Sequence, residues 1–218
     1  MITVNEAIMQ RHSVRNYMDK AIPSDVAAKL RELIDLCNKE GCVNMQLVTD
    51  EPKAFSGAMA HYGKFSGVSN YIALIGEKGS DTALGYYGAK VVLLAQQLGL
   101  NTCWVGLTFS KVPQALTIGE GEKLHAVIAL GYGATQGVTH KVKTPDQVAP
   151  GYANAPQWFK DGVDTALLAP TAMNQQKFTF TIDEDGKVNS KAGLGFFAKM
   201  DLGIVRYYFE IGSGKKLQ

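Results

Sequence analysis

The chain has 218 residues, 46% of them hydrophobic and 19% charged, with a formal net charge of +2. That length can form one large domain or two small packed ones, with a true core. So small a charge excludes a general nucleic-acid or membrane-surface binder, and any anion chemistry must come from locally placed basic residues. The start, Met1 to Ala7, lacks the basic stretch and apolar centre of a secretion signal. The longest apolar run, around Val91–Leu94, is broken by Gln96, Gln97 and Gly99, far short of the roughly 20 residues that span a bilayer. Cys37, Cys42 and Cys103 cannot all pair and form no Cys-x-x-Cys. The expectation is a reduced, cytoplasmic protein whose cysteines are buried structural thiols.

Thr3 and Glu6 read as a capping box opening a short helix that carries Ala7, Ile8 and Arg11. Pro23 and Ser24 start a second helix, with Val26, Leu30, Leu33, Ile34 and Cys37 at helical spacing and Gly41 as its stop. Tyr71–Ile75 predicts a buried strand. A long helix follows from about Thr82 to Leu98, on the spacing of Leu84, Tyr87, Val91, Leu94 and Leu98. Thr102–Val105 and Ala126–Leu130 predict two more short strands, with one brief helix at Val112–Thr117 between them. From Thr144 to Trp158 the chain is proline- and alanine-rich and reads as a connector. Phe159–Leu168 predicts a helix, Lys177–Ile182 a strand with a hairpin turn at Asp183–Gly186, and Met200–Ile211 a last helix. Strands alternating with helices point to an α+β, α/β-layered fold with a mixed sheet flanked by helices. One domain over 1–218 is expected, with a possible subdivision into 1–145 and 146–218.

Four segments could carry chemistry. Arg11-His12-Ser13-Val14-Arg15 sets two guanidiniums around a hydroxyl at a helix end, a donor set suited to phosphate. Lys141 and Lys143 alternate in an extended segment, which puts both ammonium groups on one side. Ala169–Gln176 is a turn dense in small, hydroxyl and amide side chains. Leu100–Leu107 holds a strand ending at Gly106, where backbone N–H groups can approach a ligand. Taken singly, the basic segments are more simply solvated loops, the turn a helix end, and Trp104 core packing. Gly212–Lys216 is no phosphate loop, because no Ser or Thr follows the lysine, and no G-x-G-x-x-G or Gly-x-Ser-x-Gly occurs. His12, His61, His125 and His140 show no metal-ligand spacing, so no metal is expected.

In combination and in this order the segments resemble the nitroreductase family of flavoproteins, in a divergent branch of thermophile type. Arg11 to Tyr17 resembles its opening R-x-S-x-R; Gln96-Gln97-Leu98-Gly99-Leu100 leading into Thr102–Gly106 resembles the strand beside the flavin. Leu130–Gly133 followed by Lys141-Val142-Lys143 resembles its late strand and basic pair, and Ala169–Gln176 its A-P-S-x-x-N-x-Q signature. The resemblance implies an NAD(P)H-dependent oxidoreductase with FMN as cofactor. Hydride would come from NADH or NADPH and pass through flavin N5 to a nitro-aromatic, quinone or related acceptor. A flavin-binding module without turnover of its own is the alternative. It further implies that Arg11, Ser13, Arg15, Lys141 and Lys143 hold the phosphate and ribityl chain, with His12 in the same run. Val105 and Gly106 would offer backbone donors near the ring, with Thr171, Ala172, Met173 and Asn174 lining ring or ribityl. The cofactor carries the chemistry, so no catalytic acid or base is nominated. Expected partners are a small-molecule acceptor, with no nucleic acid and no membrane.

In one respect the chain departs from the family order. The signature usually follows the second helix, where this chain has Lys39 to Gln46, and is usually contributed by a partner subunit; the good copy here is near the C-terminus. Either a homodimer or an intrachain pseudo-dimer is therefore expected. A faint echo between Ile34–Gln46 and Val163–Gln176 reads as chance similarity.

Overall fold

The computed structural model describes residues 1–217. The chain divides into two compact units: Met1–Ser80 with Val91–Thr139, and Asp81–Lys90 with the chain from His140 on. In the first unit, α1 (Val4–Gln10) opens on the expected capping box, with the Thr3 N–H donating to Glu6 at 2.7 Å and the Glu6 N–H to Thr3 Oγ1 at 3.2 Å. Helix α2 (Ser24–Gly41) buries Ala27, Leu30, Ile34 and Cys37, the stripe its periodicity predicts. Gly41 is its last helical residue. The left-handed residue beyond is Cys42, at φ 48°. Cys37 and Cys103 are buried as expected, whereas Cys42 is exposed, because the helix end turns it outward.

Strands β1 (Asn44–Val48), β2 (Asn70–Glu77), β3 (Asn101–Val105) and β4 (Glu122–Gly131) form one sheet in the order β1-β2-β4-β3, with every ladder antiparallel. Tyr71 lies opposite Ala129, and Thr102 opposite Leu130. Parallel pairing enters where Ser13 bridges Thr102 on the outer strand β3. Strand β1 was not foreseen. Its side chains Asn44 and Gln46 are polar and fasten instead to Glu122 and to the backbone of Thr117. On one side the sheet packs Ala73, Ile75, Cys103, Val105, Val127 and Ala129 with Phe55, Phe65 and Tyr71. The short helix α3 (Ala58–Tyr62) leaves Tyr62 82% exposed, so that aromatic belongs to the surface while Phe55 and Phe65 belong to the core. The brief helix expected at Val112–Thr117 is a single 3-10 turn, Pro113–Ala115, after which Leu116 is already extended. Helix α4 (Asp81–Gln97) gives its first ten residues to the second unit and the rest to the first.

In the second unit Thr144 caps α5 (Pro145–Val148) through a box with Gln147. The proline-rich stretch is therefore packed structure, with Val148 and Ala149 fully buried. Helices α6 (Gln157–Leu167) and α7 (Ala198–Ser213) pack against the hairpin β5 (Phe178–Ile182) and β6 (Val188–Ala192). Phe180 stacks on Phe209 at 4.6 Å and Phe159 meets the same ring edge-on at 5.6 Å. Each buried ring contributes about 2 kcal/mol. A Cβ on Gly85 would run into the Met200 carbonyl and one on Gly203 into that of Thr82. The start of α4 and α7 thus touch backbone to backbone.

Candidate functional site

In the first unit the run after α1 is an extended strip held from both sides. Arg11 caps α1, its N–H donating to Ala7 O at 2.9 Å. Beyond it Val14 N–H donates to Thr102 O (3.1 Å), Tyr17 N–H to Ser66 O (3.0 Å) and Met18 N–H to Tyr132 O (2.8 Å), while Ala134 N–H donates to Asn16 O (2.8 Å). Val14 and Tyr17 plug the strip into the core. The Tyr17 hydroxyl donates to Ala129 O at 3.3 Å, and burial holds its pKa well above the usual phenol value. Gly133 donates to Asn101 Oδ1 at 2.9 Å, and a side chain there would collide with Thr135 O and Val14. The strip's backbone is therefore fixed.

Its side chains are not all satisfied. Arg11 is 3% exposed, yet its Nε and Nη1 have no hydrogen-bond partner among the described residues. Thr102 Oγ1 and Trp104 Nε1, alternate residues of β3, are also buried without one. A buried cation lacking an acceptor costs several kcal/mol, so such a group is retained where an anion completes it. Arg15 is exposed, its guanidinium 5.8 Å from the Phe65 ring centre. Ser13 and His12 are half-buried. Burial pushes the Cys103 thiol up, against the opposing pull of Arg15, a Ser13 hydrogen bond and Arg11. Val105 turns its side chain into the core, leaving only backbone to meet a ligand at Val105 and Gly106.

The second unit joins Lys141, Lys143 and the Thr171–Asn174 turn into one hydrogen-bonded bundle. Asn174 Nδ2 donates to Lys141 O at 2.8 Å, and Gln176 Nε2 to the same carbonyl at 2.9 Å. Lys143 Nζ donates to Gln176 O at 2.8 Å. Among the described residues, Met173, Asn174 and Gln176 are three of the seven non-glycine residues at positive φ, and Met173 is fully exposed. Such strain persists only where neighbours over-determine the backbone. Asp201, buried in the first turn of α7, accepts from Ala172 N–H at 2.9 Å and from Gln175 Nε2 at 2.7 Å. Burial lifts its pKa to about 6, partly offset by those two hydrogen bonds. Neither Asp201 nor Gln176 was singled out from sequence. An isolated aspartate has no periodic mark, and Gln176 carries the last position of the A-P-S-x-x-N-x-Q resemblance without a role assigned to it.

Two grooves of about 400 and 310 Å³ flank the turn of the β5–β6 hairpin, and none of the nominated residues lines them. Among the described residues there is no cluster able to hold a metal ion, and no helix is long and apolar enough to cross a membrane.

A family model described as "Putative TM nitroreductase" matches residues 3–213. None of the curated proteins matches the sequence. The crystal structure of a "putative nitroreductase" from Thermotoga maritima superposes with a TM-score of 0.69 at 21% identity, over 97% of this chain and 83% of that one. One from Desulfovibrio desulfuricans, in complex with FMN, gives 0.52 at 20% identity, over 68% and 96%. A "putative NADH dehydrogenase/NAD(P)H nitroreductase" from Parabacteroides distasonis gives 0.50 at 17%, over 68% and 97%. At these identities the likeness shows a shared α+β fold.

Proposed function

This chain belongs to the nitroreductase family so described, and we propose that it is an FMN-dependent oxidoreductase that takes hydride from NADH or NADPH and passes it to a nitro-aromatic, quinone or related acceptor. The observation that carries this reading is Arg11, a buried guanidinium with two nitrogens lacking any acceptor. A planar guanidinium donates paired hydrogen bonds to a phosphate, and the Ser13 hydroxyl and Arg15 lie beside it in sequence. The donor set therefore fits the phosphate end of FMN. The FMN complex of the Desulfovibrio relative and the nicotinamide named for the Parabacteroides protein support the same choice.

On this reading Arg11, Ser13, Arg15 and Lys141 hold the phosphate and ribityl chain, Lys143 stands two residues beyond Lys141 in the same segment, and His12 belongs to the run of Arg11. Val105 and Gly106 present backbone N–H groups to the ring. Thr171, Ala172, Met173 and Asn174 line ring or ribityl. Bound FMN supplies the centre that accepts and returns hydride, while the chain's residues bind and orient it. The signature turn lies in this chain's own C-terminal part, so the monomer is expected to keep its flavin.

The test is the visible spectrum of the purified protein. A blue-absorbing flavin that bleaches with NADH or NADPH and recovers with a nitro-aromatic supports the reading. Protein that takes up no FMN overturns it, and bound flavin without turnover would make the chain a carrier. Sedimentation of the loaded protein checks the monomer, and loss of flavin on dilution to monomers would sink that part.

A further inference from the structure

We propose that Gln176 is a positioning residue that divides the work of the two lysines, drawing Lys143 into the fold and leaving Lys141 as the cation that meets the anionic end of the ligand. This rests on FMN being the ligand. Gln176 is 3% exposed and sits at φ 45°. Its backbone N–H donates to Thr171 Oγ1 at 3.1 Å. Its side-chain Nε2 donates to Lys141 O and to Asn174 Oδ1, both at 2.9 Å, and its Oε1 accepts from Lys143 N–H at 2.9 Å. Its own carbonyl accepts from Lys143 Nζ at 2.8 Å. Every polar group of the residue is thus committed, which is what a left-handed glutamine backbone requires.

The two lysines come out unequal. In an extended segment, alternate residues would present both ammonium groups to one anion. Lys143 instead spends an N–H on the Gln176 carbonyl, across 33 positions of sequence. Lys141 has its carbonyl held by two amides, from Asn174 and Gln176, while its exposed ammonium has no hydrogen bond among the described residues. Its backbone is fixed and its charge is free. The backbone beneath the cation is thus ordered before an anion arrives, and only the side chain has to be ordered to make a charge-assisted contact.

FMN and riboflavin differ only in the phosphate, so their affinities separate the two roles. Lys141→Gln is expected to weaken FMN roughly tenfold at low salt and leave riboflavin unchanged. Lys143→Gln is expected to keep the FMN-to-riboflavin ratio and to lower the melting temperature of the flavin-free protein. Lys143→Arg, which keeps a donor for the Gln176 carbonyl, restores that temperature. Gln176→Ala weakens both ligands alike and melts early. A ratio that collapses in Lys143→Gln, or survives in Lys141→Gln, overturns the proposal. If the wild type binds neither flavin, the functional reading has failed. The melting temperatures then decide alone, and equal values for Lys141→Gln and Lys143→Gln overturn the division.

Discussion

The Arg11–Arg15 strip and the Lys143–Gln176 bundle hold similar donors in opposite states. In the strip the backbone is pinned at Arg11, Val14 and Arg15 while the buried Arg11 guanidinium keeps Nε and Nη1 unpartnered among the described residues. In the bundle the donors close on one another, down to the Lys143 ammonium on the Gln176 carbonyl. An open donor inside a rigid frame is a place for a ligand, and a closed network is part of the scaffold. Removing the first should cost binding, and removing the second should cost stability.

The hardest strain on that contrast is Arg11→Leu. FMN affinity should fall by about a hundredfold or more in a fluorescence titration, the loss of a charged hydrogen-bonded pair. The flavin-free variant should melt at or above the wild-type temperature, since buried N–H groups without an acceptor have been removed. Early melting without flavin would show the guanidinium to be structural and erase the contrast.

Gln176→Ala is the mirror case. A loss of about 2–3 kcal/mol in denaturant unfolding is expected, because the donors and acceptors it leaves behind are buried. Unchanged stability would mean that the bundle opens to water at no cost.

Asp201 sharpens the comparison through pH. Its pKa is lifted from 3.8 to about 6 in the fold, so the protonated form is the one that folding favours. That contribution is fully present below about pH 4 and lost as pH rises through about 6. Against Asp201→Asn, the wild type should gain about 2–3 kcal/mol of stability as pH falls from 7 to 4. A flat difference would show the carboxyl to be hydrated. The smallest effect belongs to Lys216, 76% exposed and 2.8 Å from Glu210. Lys216→Met should cost under about 1 kcal/mol in the same unfolding measurement, since Glu210 keeps the Tyr86 hydroxyl and the Leu217 N–H as partners. A larger loss would extend the closed network to the C-terminal end of α7.

Much of the architecture was open to local reading. The stripe of α2, the Thr3 box, the strands around Ile72, Cys103 and Ile128, and the Asp183–Gly186 turn follow from spacing and caps. Strand β1 did not, because its polar side chains find partners at Thr117 and Glu122 more than 70 residues away. Cys42 was read as buried and is exposed, a matter of which way the end of α2 turns.

Of the candidate site, sequence alone determined the residue types and their order: the basic run at Arg11–Arg15, the pair Lys141 and Lys143, and the amide-rich turn, with the family likeness they carry together. Only the tertiary structure decided which of those donors are already spent. Lys141 and Lys143 are indistinguishable by type and spacing, yet the first has no ammonium hydrogen bond among the described residues and the second is bound to Gln176. The physical reason is that hydrogen-bond satisfaction depends on neighbours brought in from distant parts of the chain, whereas periodicity and capping depend on residues a few positions away.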